Sequence, residues 1–338
     1  MLYVTTRNDR NSRPAGVTLR ENRDIDGGFY VPFRIQKFPD AQIHELLEKP
    51  FNECVATVLN YLFQCRLTPW DIDFAIGRYP VRLKKIGYRT FLAELWHNPE
   101  WTYEHMVRKL SEMLCGETIF PTSWGRIAAR IAVFFGIFGQ LHKNAIAVAD
   151  VCMVSGNFSA PISAWYARQM GLPISNIVCT CNENHALWDL ICLGQMRTNQ
   201  VTIPTCVSEA DIALPDELER LVFECGGMDA VTKYLEACRK GTIFTPDAEL
   251  LDKLRCKLHV SVVSSKRLDT VIPGVYRTHQ YVMSPETALG YAGLQDYRTK
   301  TGSSRHAVVL SDHSPVHTTE TVAGMLDVTP DILKSILL

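Results

Sequence analysis

Thirteen consecutive residues, ELWHNPEWTYEHM at 94–106, hold three glutamates, two histidines, two tryptophans and a tyrosine. His97, Glu104 and His105 are the candidate acid–base groups of this stretch, because imidazole and carboxylate are the side chains that most often move protons in catalysis. A helix start collects the same residues for other reasons. Glu100 is then favoured by the helix dipole, and Glu104 and Lys109 are solvated. On spacing alone the helix start is the stronger reading.

Three further segments carry polar groups at positions where chemistry is done. SGNFS at 155–159 places backbone N–H groups and the Ser155 and Ser159 hydroxyls at the start of a helix, which suits a phosphate or carboxylate. From these five residues alone, a tight turn with Asn157 in the left-handed region is the stronger reading. SDHSPVH at 311–317 follows an apolar run and offers Ser311, Asp312, His313 and His317. Pro315 between the two histidines breaks the helix face that a metal-binding pair would need, and a Ser–His–Asp triad does not follow from closeness in sequence. Cys179 and Cys181 share one face of a strand, but no zinc-like spacing accompanies them, so core packing is the stronger reading. No metal site is expected.

The elements that would position these groups alternate between strand and helix. DVCMVS (150–155) and NIVCTC (176–181) read as buried strands on either side of the turn GNFSAP and the helix ISAWYARQMG (162–171). That is a βαβ unit with parallel strands. Its turn lies at the carboxyl end of the sheet, where open α/β sheets bind ligands. TFLAELW (90–96) and HAVVLSDHS (306–314) read as two more strands. Helices are expected at 99–114, 122–141, 183–194, 208–226, 228–240, 246–257, 284–298, 318–328 and 329–338. Thr68 and Pro69 mark a further helix start.

The chain has 338 residues, 46% apolar and 21% charged, with a formal net charge of −1. That is the balance of a globular protein with a real core. It gives no global field for nucleic acid or an anionic membrane surface. The start MLYVTTRNDR has no leader-like apolar run, and IAARIAVFFGIFGQL (127–141) is too short to span a bilayer and contains an arginine. Eleven scattered cysteines fit reduced thiols and a cytoplasmic location.

Taken in order, several segments resemble threonine synthase, a pyridoxal-phosphate enzyme of fold type II, the tryptophan-synthase-β class. YVTTRN and DIDGGFYVP are similar to that family's Y-x-S-T-R and D-G-G-L-Y-V-P. TSWGRIAARIAVFFGIFGQL resembles its N-S-I-N-W-x-R helix. VSGNFSAPISAWYARQMGLPISNIVCTCNEN resembles its P-T-G-N-F-G, M-G-L-P and A-T-N-x-N run. VMSPETALGYAGL and VVLSDHSP match two later segments, D-P-H-T-A-V-G and L-x-T-A-H-P. The resemblance covers nearly the whole chain.

The departures from the family pattern are chemical. The family's E-L-F-H-G-P-T-L-A-F-K-D carries the Schiff-base lysine, and ELWHNPEWTYEH puts Glu104 there, with His105 at the aspartate. A carboxylate cannot form an imine, and it repels an anionic cofactor. The A-T-S-G-D-T-G loop is missing, and MLCGETIFPTSW (113–124) runs directly from one helix to the next. The resemblance therefore implies an α/β protein with a threonine-synthase-like region at 1–90. A fold type II large domain follows at 91–338, with parallel strands covered by helices on both faces. The small domain is deleted near 115–122.

No bound cofactor is expected. Ser155, Gly156, Asn157, Phe158, Ser159 and Ser311 are left as a remnant anion pocket for a possible small anionic ligand. The expected role is a pseudoenzyme that acts as scaffold, regulator or subunit of a metabolic complex. Its protein partner, or a second copy of the chain, would cover the surface exposed by the lost lobe near Trp96, Trp101 and Trp124. The alternative is a PLP-independent lyase, cyclase or hydrolase acting on a small amino-acid or phosphorylated substrate in the old pocket. It would use His97, Glu104, His105 and His313. Residual PLP-dependent threonine synthase chemistry is the weakest of the three readings.

Overall fold

The computed structural model describes residues 1–77, 81–96, 103–116, 123–256 and 258–337. For Tyr103, Glu104, Val107, Leu110, Ser111 and Cys115 it describes the backbone but not the side chain. His97, Trp101 and most of the expected deletion point lie outside the described residues.

The chain opens with an antiparallel sheet of β1 (Leu2–Thr5), β2 (Asn8–Pro14) and β3 (Tyr30–Pro32), with the short helix α1 (Ala15–Arg20) between the last two. Helices α2 (Asp40–Glu48) and α3 (Phe51–Phe63) are separated at Pro50, whose ring cannot continue a helix. Helix α4 (Pro69–Ile76) begins as expected, with Thr68 and Asp71 forming a reciprocal capping box. Strands β4 (Arg82–Lys85) and β5 (Thr90–Glu94) form a hairpin. Helices α5 (Tyr103–Cys115) and α6 (Ser123–Lys143) follow.

The βαβ unit is β6 (Ala149–Val154), α7 (Ser159–Gln169) and β7 (Ile174–Cys181). Beyond it come α8 (Ala186–Trp188), β8 (Met196–Arg197), α9 (Leu218–Lys240), β9 (Ile243–Phe244), α10 (Ala248–Arg255) and β10 (Leu258–Val262). Helices α11 (Leu268–His279) and α12 (Pro285–Thr301), strand β11 (His306–Ser311), and helices α13 (Thr319–Leu326) and α14 (Pro330–Leu337) complete the chain.

The main sheet runs β10-β7-β6-β11-β5-β4, parallel except for the edge strand β4. Its central strands β6 and β11 read as near-continuous apolar runs because helices cover both faces. Alternate residues serve separate cores. Val151, Met153, Ile177, Cys179 and Cys181 join α3, α6 and α7. Cys152, Val178, Ala307 and Val309 join α11, α12 and α13. The N-terminal 90 residues supply the edge strand and share the first core. Among the described residues this is the one parallel sheet, and no helix is long and apolar enough to cross a membrane.

Three expectations are corrected. The span 208–226 is not one helix. It holds a 3-10 turn at Ser208–Ala210, and α9 starts only at Leu218. Asp211 accepts hydrogen bonds from Thr205 N at 2.6 Å and Asn182 Nδ2 at 2.6 Å, which tie the segment down as a loop. The boundary expected between helices at 227 is present, since α9 breaks at Gly227, φ 69° and ψ −166°. The helix at 183–194 is a single turn, α8, that continues as a π-helix over Asp189–Leu193. In the SGNFS turn it is Gly156 and Phe158, not Asn157, that take positive φ, at 46° and 73°.

Helix α12 seats on β7 through Gly293. A Cβ there would stand 1.8 Å from Thr180 Oγ1 and 2.8 Å from Thr180 Cβ. Rotating Thr180 relieves only the first contact. Gly293→Ala is therefore expected to destabilise the protein by about 1–3 kcal/mol through overpacking. The thermal midpoint checks this, and an unchanged midpoint would show that α12 can lift off the sheet freely.

Candidate active site

The carboxyl ends of β5, β6 and β11 bring together most of the residues singled out in the sequence. Strand β11 ends at Ser311 beside Glu94 of β5, and the Leu95 N–H donates to the Ser311 carbonyl at 2.9 Å. This register carries Trp96 over Ser311, and its indole Nε1 donates to Ser311 Oγ at 2.9 Å. Thr287 Oγ1 bonds the same oxygen at 2.7 Å, and Ser284 Oγ lies 2.8 Å from Thr287 Oγ1. Ser284 caps α12, accepting from Thr287 N, so helix start and strand end share one buried hydroxyl chain. Ser311 Oγ thus accepts two hydrogen bonds from the protein.

Next to it lies a charged group that spacing did not reveal. His313 Nδ1 donates to Glu286 Oε2 at 2.8 Å and stands 3.7 Å from Glu209 Oε1. Glu286 is buried, and burial pushes its carboxyl up to about 7 against the pull of His313. The hydrogen bond to Glu286 raises His313 to about 9, although desolvation opposes it. Asp312 is paired with Arg130 at 2.7 Å. On the other side Glu94 is buried, accepting from Tyr281 Oη at 2.8 Å and facing Arg82 Nε at 3.1 Å. A signal for Glu286 was present in the sequence, since it stands where the resembled P-H-T-A segment has histidine.

The SGNFS turn reaches this cluster through Glu209, whose carbonyl lies 3.0 Å from the point a Cβ on Gly156 would occupy. The Ser159 N–H is taken by Asn157 Oδ1 at 3.0 Å, and Pro161 has no N–H. Ser155 is buried, and the Phe158 ring belongs to the core. His105 sits apart from the turn in α5, with its Nδ1 3.0 Å from Arg108 Nη2. His317 is exposed in the 3-10 turn Pro315–Thr318.

Pyridoxal phosphate does not fit these residues. The turn that would cradle its phosphate spends one donor on Asn157 and lacks another at Pro161. The carboxylates of Glu209 and Glu286 crowd His313 at the same end of the sheet, and clustered carboxylates disfavour a further anion.

The expected interface is also altered. Trp124 is fully buried at 0% exposure, edge-on to Tyr3 and Tyr166. It belongs to the core and cannot anchor a partner. Trp96 is half-buried and hydrogen-bonded. Among the described residues, Trp70 and Phe74 on α4 are exposed aromatics.

No family model matches the chain. Among curated proteins it is similar to human "Threonine synthase-like 1", 26% identical over 174 residues, which are 49% of this chain and 23% of that protein. It is similar to the threonine synthase of Pseudomonas aeruginosa, 27% identical over 178 residues, 52% of this chain and 38% of that protein. The match thus covers less than half of either relative's own length. Among solved structures, PLP-bound threonine synthase from Brucella melitensis superposes with a TM-score of 0.86 at 19% identity, covering 100% of this chain and 94% of that one. Yeast threonine synthase gives 0.84 at 16% identity, covering 99% and 93%.

Proposed function

We propose that the chain, similar to threonine synthases in sequence and in fold, is a repurposed homologue without pyridoxal phosphate, a pseudoenzyme serving as scaffold, regulator or subunit of a metabolic complex. One observation carries the proposal: the carboxylates of Glu286 and Glu209 stand 2.8 and 3.7 Å from His313, two residues beyond Ser311, and clustered carboxylates disfavour an anionic cofactor there. Glu104 in α5, at the position the resemblance gives to the lysine, supports it, because a carboxylate forms no imine. The direct passage from Cys115 of α5 to Ser123 of α6 supports the loss of the small domain from the 91–338 unit.

Adding pyridoxal phosphate to the purified protein is expected to give neither a Schiff-base absorbance band nor a borohydride-trapped adduct. A stoichiometric adduct mapped to one lysine by mass spectrometry would sink the proposal.

A second reading rests on His313 and Glu286. A buried carboxyl near neutrality, bonded to an imidazole at the carboxyl end of a sheet, is an acid–base pair suited to a PLP-independent enzyme. Glu286→Gln separates the two. The scaffold reading expects partner binding and biological output to persist in this variant; the enzyme reading expects output to fall while partner binding persists.

A further inference from the structure

The opposite end of the sheet holds a second cluster. Helix α2 carries His44 and Glu48 one turn apart, on the same face. Helix α6 delivers His142 against them from its last turn. His44 Nδ1 is 3.5 Å from Glu48 Oε1, and the two imidazole rings stand edge to face with centroids 4.9 Å apart. One nitrogen from each histidine and one oxygen of Glu48 all lie within 4.8 Å of one another.

The fold itself holds this arrangement in place. At Gly139, one turn before His142, a Cβ would lie 3.1 Å from the Leu47 carbonyl, so α6 meets the backbone of α2 at contact distance beside Glu48. Both Glu48 and His142 sit in the last turns of their helices, where carbonyl groups give the negative end of the helix dipole and favour a cation. The neighbouring ammonium groups are engaged elsewhere. Lys49 pairs with Glu53 at 2.6 Å, and Lys143 donates to the Lys49 carbonyl at 3.0 Å.

We propose that His44, Glu48 and His142 form a zinc site that clips α2 to α6. Two imidazoles and a carboxylate suit a borderline divalent ion, with water completing a tetrahedron. Bonds of about 2.0–2.2 Å require the three ligand atoms to draw closer together. His44 and Glu48 are 63% and 62% exposed, so their side chains are free to turn inward. The position at the amino end of the sheet, where α6 leads into β6, makes the site independent of Ser311 and the SGNFS turn.

The test is a titration of untagged, metal-stripped protein with zinc chloride in a competing chelator, followed by cobalt(II) spectroscopy. The expected result is one ion per chain and a rise in thermal midpoint. Cobalt should give d–d bands without a thiolate charge-transfer band, which excludes the cysteines as ligands. His44→Gln and His142→Gln are each expected to weaken binding at least about tenfold, and Glu48→Gln to weaken it as well. Absence of saturable one-to-one uptake, a thiolate band, or affinity unchanged in both histidine variants would overturn the proposal.

Discussion

Arg220→Met is expected to cost about 3–5 kcal/mol, because it leaves a buried carboxylate without its partner. Arg220 is 0% exposed. Its guanidinium donates to Glu217, to the Tyr30 carbonyl of β3 and to Ser123 at the start of α6. It also lies 4.6 Å from the Phe29 ring centroid and 5.7 Å from that of Trp124. One side chain thus joins the N-terminal sheet, the long helix α6 and α9. The effect should extend to the SGNFS turn, since the Glu217 N–H donates to the Asn157 carbonyl at 3.0 Å. Urea unfolding measures the loss. Adding Glu217→Gln should recover part of it, because the stranded charge is then gone. A single-variant loss below about 1 kcal/mol would mean that water reaches Glu217 and that the pair is not sealed as its burial indicates.

Features carried by neighbouring residues were legible in the sequence. Thr68 and Pro69, Ser284 and Pro285, and the apolar strands around SGNFS all declare themselves locally. The order of motifs also pointed to the threonine synthases whose fold the chain shares. What failed to show was long-range. Trp124 stands beside the expected deletion and so read as surface, but Tyr3 and Tyr166, far before and after it in the sequence, pack edge-on against it. Strand β10, LHVSV, alternates polar and apolar residues too briefly to stand out, and it gains its place only by pairing with β7. Sequence spacing gave no metal site, because His142 meets His44 only when α6 crosses α2. Glu286 and His313 likewise meet only when α12 and β11 converge.

That pair carries the second large expected effect. In Glu286→Gln the pKa of His313 should fall from about 9 toward its ordinary 6.5, because the hydrogen bond to the carboxylate is the leading cause of the rise. The imidazole C–H resonances read it directly by NMR. The sign of the linked stability follows from both groups. His313 has a folded pKa above its unfolded one, so its contribution is full below pH 6.5 and is lost as pH rises to about 9. Glu286 is also raised, from 4.5 to about 7, so its contribution likewise declines across that interval. The parent should therefore lose stability between about pH 4.5 and 9 more steeply than Glu286→Gln. Chemistry changes with it: near pH 7 the parent imidazole is a cation that donates, whereas the variant imidazole is largely neutral and can accept a proton. If His313 stays near 9 in Glu286→Gln, then Glu209 at 3.7 Å and Asp312 set its charge, and the buried carboxyl is not its partner in any acid–base role.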